Sequence, residues 1–148
     1  MSEENIENAI RDLVDALENN DVDGVVSFFA DDAVWYAPEG EYKGKEEIKR
    51  YVTWLILPER VKDVKFNDTG IGIVVKDDKA VYEHIWESTY EGNHIREPSV
   101  CVYEFSDGKC VYHRGISDRI SGARQGATGF IETRIVNTVI DRLEKGLR

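Results

Sequence analysis

The spacing of apolar side chains changes once along this chain, near residue 61, and that change sets the class of fold open to it. Ahead of it, Ile6, Ile10, Leu13, Val14 and Leu17 recur every three or four positions. They predict an amphipathic helix over residues 3–19, with Ser2 as a possible N-cap and Asn19-Asn20 ending it. Beyond residue 61 the period falls to two, which predicts strands at 61–75, 79–90, 94–105 and 110–119. Their separators, Lys76-Asp77-Asp78, Gly92-Asn93 and Asp107-Gly108, are hairpin signals, so neighbouring strands run antiparallel. Between the two regimes, Asp21 caps a short helix that buries Val25, Val26, Phe28 and Phe29, and Asp31-Asp32 stops it. Ala33-Val34-Trp35-Tyr36 reads as a strand ending at Pro38, and a third helix over 45–56 buries Ile48, Tyr51, Val52 and Leu55. The glycine-rich stretch 121–129 reads as a loop, and Ile131, Ile135, Val136, Val139, Ile140 and Leu143 mark a long terminal helix. Helices followed by a run of strands predict an α+β domain.

A chain of 148 residues with 41% apolar and 32% charged side chains suits one globular domain. No apolar run approaches the length that crosses a bilayer. The acidic start, Met1-Ser2-Glu3-Glu4, lacks the regions of a signal peptide, and cytoplasmic residence is the expectation. Two cysteines, Cys101 and Cys110, are too few for a disulfide framework and both read as free thiols. The net charge of −10 argues against nucleic acid or an anionic membrane as partner. That charge is uneven, because residues 119–148 carry six basic and three acidic side chains. A basic tail on an acidic body fits docking within or between subunits, or a solvated helix face.

Specific words then point to a family. Asp21-Val22-Asp23-Gly24, Phe28-Phe29-Ala30-Asp31-Asp32-Ala33-Val34-Trp35, Pro38, Gly44, Ile48 and Asp107-Gly108-Lys109 resemble the SnoaL-like members of the nuclear-transport-factor-2-like superfamily. The resemblance spans residues 5–119. It implies a curved antiparallel sheet wrapped into a cone around three N-terminal helices, with a pocket inside and a homodimer across the outer sheet face. In that frame residues 1–128 are the cone and 129–148 an additional helix, packed on the same domain or on a partner subunit. Members include isomerases, polyketide cyclases, epoxide hydrolases, dehydratases and pure binding modules. Where ketosteroid isomerases carry their base and their oxyanion tyrosine, this chain has Ala37 and Leu13, which excludes that activity. Limonene epoxide hydrolases are similar at Asp118, ten residues after Gly108, and at Arg114, but their Arg-x-Asp aligns with Tyr82 and His84. Asp118-Arg119 followed by Arg124-Gln125-Gly126 resembles SnoaL-type cyclases faintly.

Strand pairing sets which side chains converge. With two-residue turns at Asp107-Gly108 and Gly92-Asn93, one sheet face holds Tyr82, His84, Trp86, Ser88, Tyr90, Glu97, Ser99, Cys101, Tyr103, Tyr112, Arg114, Ile116 and Asp118. The other holds Val81, Glu83, Ile85, Glu87, Val100, Val102, Val111 and His113. A one-residue bulge would exchange part of the two sets. The first face has aromatic walls and few polar groups, as a pocket does, with Trp35 and either Tyr51 or Trp54 closing it.

The expected substrate-binding set is therefore Trp35, Tyr51, Trp54, Tyr82, Trp86, Tyr103 and Arg114, and the catalytic pair His84 and Asp118, a proton donor and acceptor sharing the cavity. The plain structural alternative makes His84 a satisfied core histidine and Asp118 a strand-end ion-pair partner. Three histidines without metal spacing imply no metal, and nothing implies a cofactor. Two functions remain open: a cofactor-independent isomerase, cyclase, hydrolase or lyase acting on a small, mostly apolar organic molecule, or a non-catalytic ligand-binding or dimerisation module.

Overall fold

A computed structural model describes residues 1–146; Arg148, counted in the basic tail, lies outside the described residues. Three helices come first: α1 (Glu3–Glu18), α2 (Val22–Phe28) and, after a short hairpin of β1 (Phe29–Ala37) and β2 (Gly40–Lys43), α3 (Gly44–Leu55). Four long strands follow, β3 (Val61–Lys76), β4 (Lys79–Tyr90), β5 (Asn93–Ser106) and β6 (Lys109–Ser117), and then α4 (Arg119–Gly126) and α5 (Phe130–Leu143). The six strands form one curved, unclosed sheet in the order β2-β1-β6-β5-β4-β3. Only β1 and β6 pair in parallel, because the helices and the other strands lie between them in the chain.

The caps explain the early boundaries. Ser2 Oγ accepts the Asn5 N–H at the start of α1, and Asp21 accepts the Gly24 N–H at the start of α2. The buried stripes of α1 (Ile6, Ile10, Leu13, Val14, Leu17) and α3 (Ile48, Tyr51, Val52) pack with Phe29, Trp35, Tyr82, Tyr103 and Phe105 from the inner sheet face. This is the core expected from the periodicity.

Four local expectations are corrected. Phe29 opens β1 rather than closing α2, and a short strand, β2, pairs back onto β1. The second hairpin turns at Glu91-Gly92, both with positive φ (48° and 85°), and not at Gly92-Asn93. Because the pairing sum moves by two, β4 and β5 keep the face assignment read from the sequence. The stretch 121–129 is expected as a loop and the strand before it to reach 119, but Arg119–Gly126 are helical. Asp118 accepts the Ser121 N–H at 3.0 Å as N-cap, and the Gln125 side chain accepts from the Arg96 N–H and donates to its carbonyl at 2.9 and 2.7 Å. Since β6 stops at Ser117, the flank of β5 near Arg96 would otherwise lack partners, and α4 covers it.

The fourth correction decides the interior. Near the turn, Phe105 faces Cys110, but Glu104 faces Tyr112, Tyr103 faces His113, Cys101 faces Gly115 and Ser99 faces Ser117. Val111 is an extra residue without a partner position on β5. This bulge reverses β6 relative to the straight register, so His113 points into the core and Arg114, Ile116 and Tyr112 point out. The Cys110 thiol donates to the Tyr112 carbonyl at 3.1 Å, across the bulge. A second irregularity bends β3, where Gly70 and Gly72 take positive φ and the Ile71 N–H bonds Glu83 at 3.2 Å. That accounts for the Gly70-Ile71-Gly72 run.

The terminal helix is only lightly seated. Ile140 is its one buried side chain among the described residues, while Phe130, Ile131, Ile135, Val139 and Leu143 are more than half exposed.

Deleting Val111 should remove only the unpaired residue, keep Tyr103 opposite His113 and leave a cooperative urea transition, whereas His113→Arg forces a guanidinium into the core. Burying an unpaired guanidinium in place of a packed ring is expected to cost more than about 4 kcal/mol, read as loss of a cooperative urea transition.

Candidate functional site

The inner sheet face and the helices enclose two adjoining spaces. A chamber of about 80 Å³ lies deep in the cone against His84, Ser99, Cys101, Tyr103, His113 and Ser117, with Leu13, Val14, Trp35 and Phe66 as apolar wall. An outer cleft of about 530 Å³ lies between the sheet end and α3, α4 and α5, against Trp54, Arg60, Tyr90, Ile95, Glu132 and Val136. Leu55, Trp86, Glu97 and Arg119 line both spaces and so mark the boundary between them.

A chain of polar contacts crosses that boundary. The Tyr51 hydroxyl donates to Glu39 at 2.8 Å, Arg119 pairs with Glu39, and the same guanidinium reaches Glu97 at 3.4 Å. Glu97 is only 8% exposed. Burial raises its pKa most; Arg119 opposes that, and the charges of Glu39 and Asp118 add to it. The carboxyl fits there because α4 presents Gly122, where any Cβ would collide with it. Trp86 is steered by its indole N–H, which donates to Ser88 at 3.0 Å.

The deep chamber is electrically neutral. Desolvation lowers the pKa of His84 to about 4 and that of His113 to about 3. Burial pushes the Cys101 thiol up to about 12 and raises the Tyr103 phenol well above its ordinary value. His84 stacks on Tyr82 with ring centroids 4.4 Å apart, and His113 stacks on Tyr103 at 4.6 Å and meets Trp35 at 4.4 Å.

The residues singled out from the sequence divide accordingly. Trp35, Tyr51, His84, Trp86 and Tyr103 line the chamber, and Trp54 lines the cleft beneath the Arg60 guanidinium, 4.6 Å away. Tyr82 is fully buried against the core, and its hydroxyl bonds Asp68, which Arg11 also holds. Arg114 and Asp118 do not join them. The Val111 bulge turns Arg114 to the outer face, where it lies over Tyr36, and Asp118 follows the end of β6, exposed, as the α4 cap. His84 and Asp118 therefore do not share a cavity. Sequence reasoning missed Glu39, Gly122 and the inward His113. The signals were present in part: Asp118 ahead of Ser121 has the N-cap form, and Glu39 follows Pro38 where the first strand must turn.

The sequence profile of the SnoaL-like domain matches residues 10–113, more than two thirds of the chain. The chain belongs to the SnoaL-like family. Solved structures agree on the fold. A candidate SnoaL-like polyketide cyclase from Shewanella denitrificans superposes with a TM-score of 0.70 at 16% identity, over 80% of this chain and 94% of that one. A candidate polyketide cyclase from Streptomyces antibioticus gives 0.66 at 19%, over 80% and 96%. A ketosteroid isomerase-like protein of Catenulispora acidiphila, solved with trimethylamine, gives 0.72 at 13%, over 82% and 93%. No functionally curated protein matches this SnoaL-like chain by sequence. Among the described residues, no helix is long and apolar enough to cross a membrane.

The buried histidines make stability depend on pH. An unfolded histidine titrates near 6.5, and these two titrate well below that when folded, so between those values the unfolded chain binds more protons. Acidification from pH 6.5 to pH 5 is expected to remove roughly 1.6 kcal/mol of stability per histidine. Glu97, with its raised pKa, acts in the opposite sense. Urea unfolding at the two pH values should therefore show a smaller acid loss in His84→Phe and His113→Phe than in the parent protein.

Proposed function

We propose that this SnoaL-like protein is a cofactor-independent acid–base catalyst, of the isomerase, cyclase, hydrolase or lyase type, acting on a small and mostly apolar organic molecule. The observation that carries this reading is Glu97: a nearly buried carboxyl with a raised pKa, at the boundary between the wide outer cleft and the narrow deep chamber. Such a group, poised nearer neutrality, can take a proton from a carbon or hydroxyl of the substrate and return it elsewhere. Arg119 steadies the ionised form, and the link through Glu39 to Tyr51 holds Arg119 in place. His84, neutral at physiological pH, serves as a hydrogen-bonding partner rather than as a charged acid, and Trp35, Trp86 and Tyr103 exclude water. Asp118 becomes a positioning residue: it caps the helix that carries Arg119 and Gly122.

Residues 1–128 form the cone in this reading, and 129–148 add a wall to the outer cleft through Glu132 and Val136. Cytoplasmic residence fits two free thiols kept apart, since Cys101 faces Gly115. The partner is a small organic molecule, with no part for nucleic acid or membrane. A second copy of the chain pairs across the outer sheet face, where Val81, Val102, Val100 and Ile116 lie in adjacent rows and Ile116 is 56% exposed.

A second reading, a non-catalytic ligand-binding module, is favoured by one observation: the deep chamber is only about 80 Å³.

Two carboxyl variants separate the readings once a turnover assay is found. Glu97→Gln is expected to lower kcat by about a hundredfold or more, whereas Asp118→Asn, which keeps a capping oxygen, should stay within about threefold. Full activity in Glu97→Gln would remove that carboxyl from the chemistry. For the assembly, light scattering should give a dimer, and Val102→Lys with Ile116→Lys should give a folded monomer.

A further inference from the structure

The acid–base reading rests on Glu97 and leaves open what two deeper groups bind. His113 is 3% exposed and neither of its ring nitrogens has a hydrogen-bond partner; His84 is 2% exposed and its Nδ1 has none. Both rings line the inner chamber. Buried polar atoms in folded proteins are nearly always paired, because an unpaired one forfeits its hydration for nothing. Three unpaired nitrogens on rings that line one small cavity mark a place where another molecule completes the bonding.

The surroundings limit what that molecule can carry. The other neutral polar groups of the chamber are the hydroxyls of Ser99 and Ser117, 3.1 Å apart, the Cys101 thiol and the Tyr103 phenol, with the Tyr51 phenol and the Trp86 indole already donating to Glu39 and Ser88. All of them are uncharged at physiological pH, as are both imidazoles. The only charged groups of the lining, Glu97 and Arg119, stand at the boundary and face each other. An ammonium or a carboxylate inside would lose its hydration and meet no counter-charge. A carboxylate would gain one only by forcing a proton onto a desolvated ring. A neutral imidazole, by contrast, offers one N–H and one lone pair, so two rings together can donate to an oxygen and accept from a hydroxyl.

We propose that the inner chamber, through His84 and His113, binds the uncharged oxygen-bearing end of a small ketone or alcohol and rejects carboxylates and ammoniums of the same size. The proposal rests on the pocket being a small-molecule site, and it names the chemistry of the end that enters first. The apolar walls and the volume of about 80 Å³ admit a short branched or cyclic head, with the remainder of a larger molecule left in the outer cleft.

The test is binding to the full chain by probes of matched size: butanone, 2-butanol, propionate, sec-butylammonium and 2-methylbutane. Nuclear magnetic resonance titration follows the ring nitrogens of His84 and His113. Butanone and 2-butanol are expected to saturate, to shift both rings, and to bind about tenfold or more tighter than the charged probes, the weight of one hydrogen bond. His84→Phe and His113→Gln should each remove that preference, and the ring shifts in the parent protein stand even if one variant fails to fold. Neutral binding retained beside an unaltered turnover in Glu97→Gln would sink the catalytic reading and leave this one standing. Propionate or sec-butylammonium binding as tightly as butanone would overturn it. So would 2-methylbutane binding equally well without regard to the histidines, or unshifted rings with every probe at millimolar concentration.

Discussion

One extra residue in a strand governs the interior of this protein. Val111 in β6 has no partner on β5, and every side chain beyond it is turned to the face opposite the one a plain hairpin would give. The reversal places His113 beside Trp35 across the parallel β1–β6 pair and stacks it on Tyr103. It also puts Gly115 and Ser117 on the chamber and sends Arg114 to the outer face. Without it a guanidinium would stand where the apolar core of α1 and α3 closes. The bulge sits next to the turn, where the ladder is already distorted, and the Cys110 thiol satisfies a carbonyl there.

Polarity is graded from the bottom of the cone to its mouth. The deep end holds only neutral groups, because desolvation suppresses the ionisation of imidazole, thiol and phenol alike. The charged groups begin at Glu97 and Arg119, where α4 crosses the sheet, and extend through Glu39 into the cleft. The crossing depends on a close approach: α4 carries Gly122 over the Glu97 carboxyl, and Gln125 ties the helix to Arg96. A segment with two glycines and weak helix propensity is thus held helical by tertiary contacts. That is why the element most important to the site was the one least visible in local propensity.

Much of the site was nevertheless legible. His84, Trp86, Glu97, Ser99, Cys101 and Tyr103 were placed together correctly because β4 and β5 alternate strictly. The misplaced turn at Gly92-Asn93 shifted their register by two, which preserves the faces. Asp118 was legible as an acid at a strand end but not as a helix cap. The difference lies three residues on, in whether the Ser121 N–H points back to it.

By itself the sequence determined the α1 and α3 stripes and the three antiparallel hairpins, which follow from short-range periodicity and turn chemistry, while its motif words carried the resemblance to the SnoaL-like family. Tertiary structure alone decided which face of β6 points inward, that α4 exists, and that Glu97 rather than Asp118 meets the cavity. The physical reason is that a side chain's face depends on the parity of residues along a strand. A single bulge changes that parity, and nothing local in Cys110-Val111-Tyr112 announces it; only the packing of His113 against Trp35 and Tyr103 selects it.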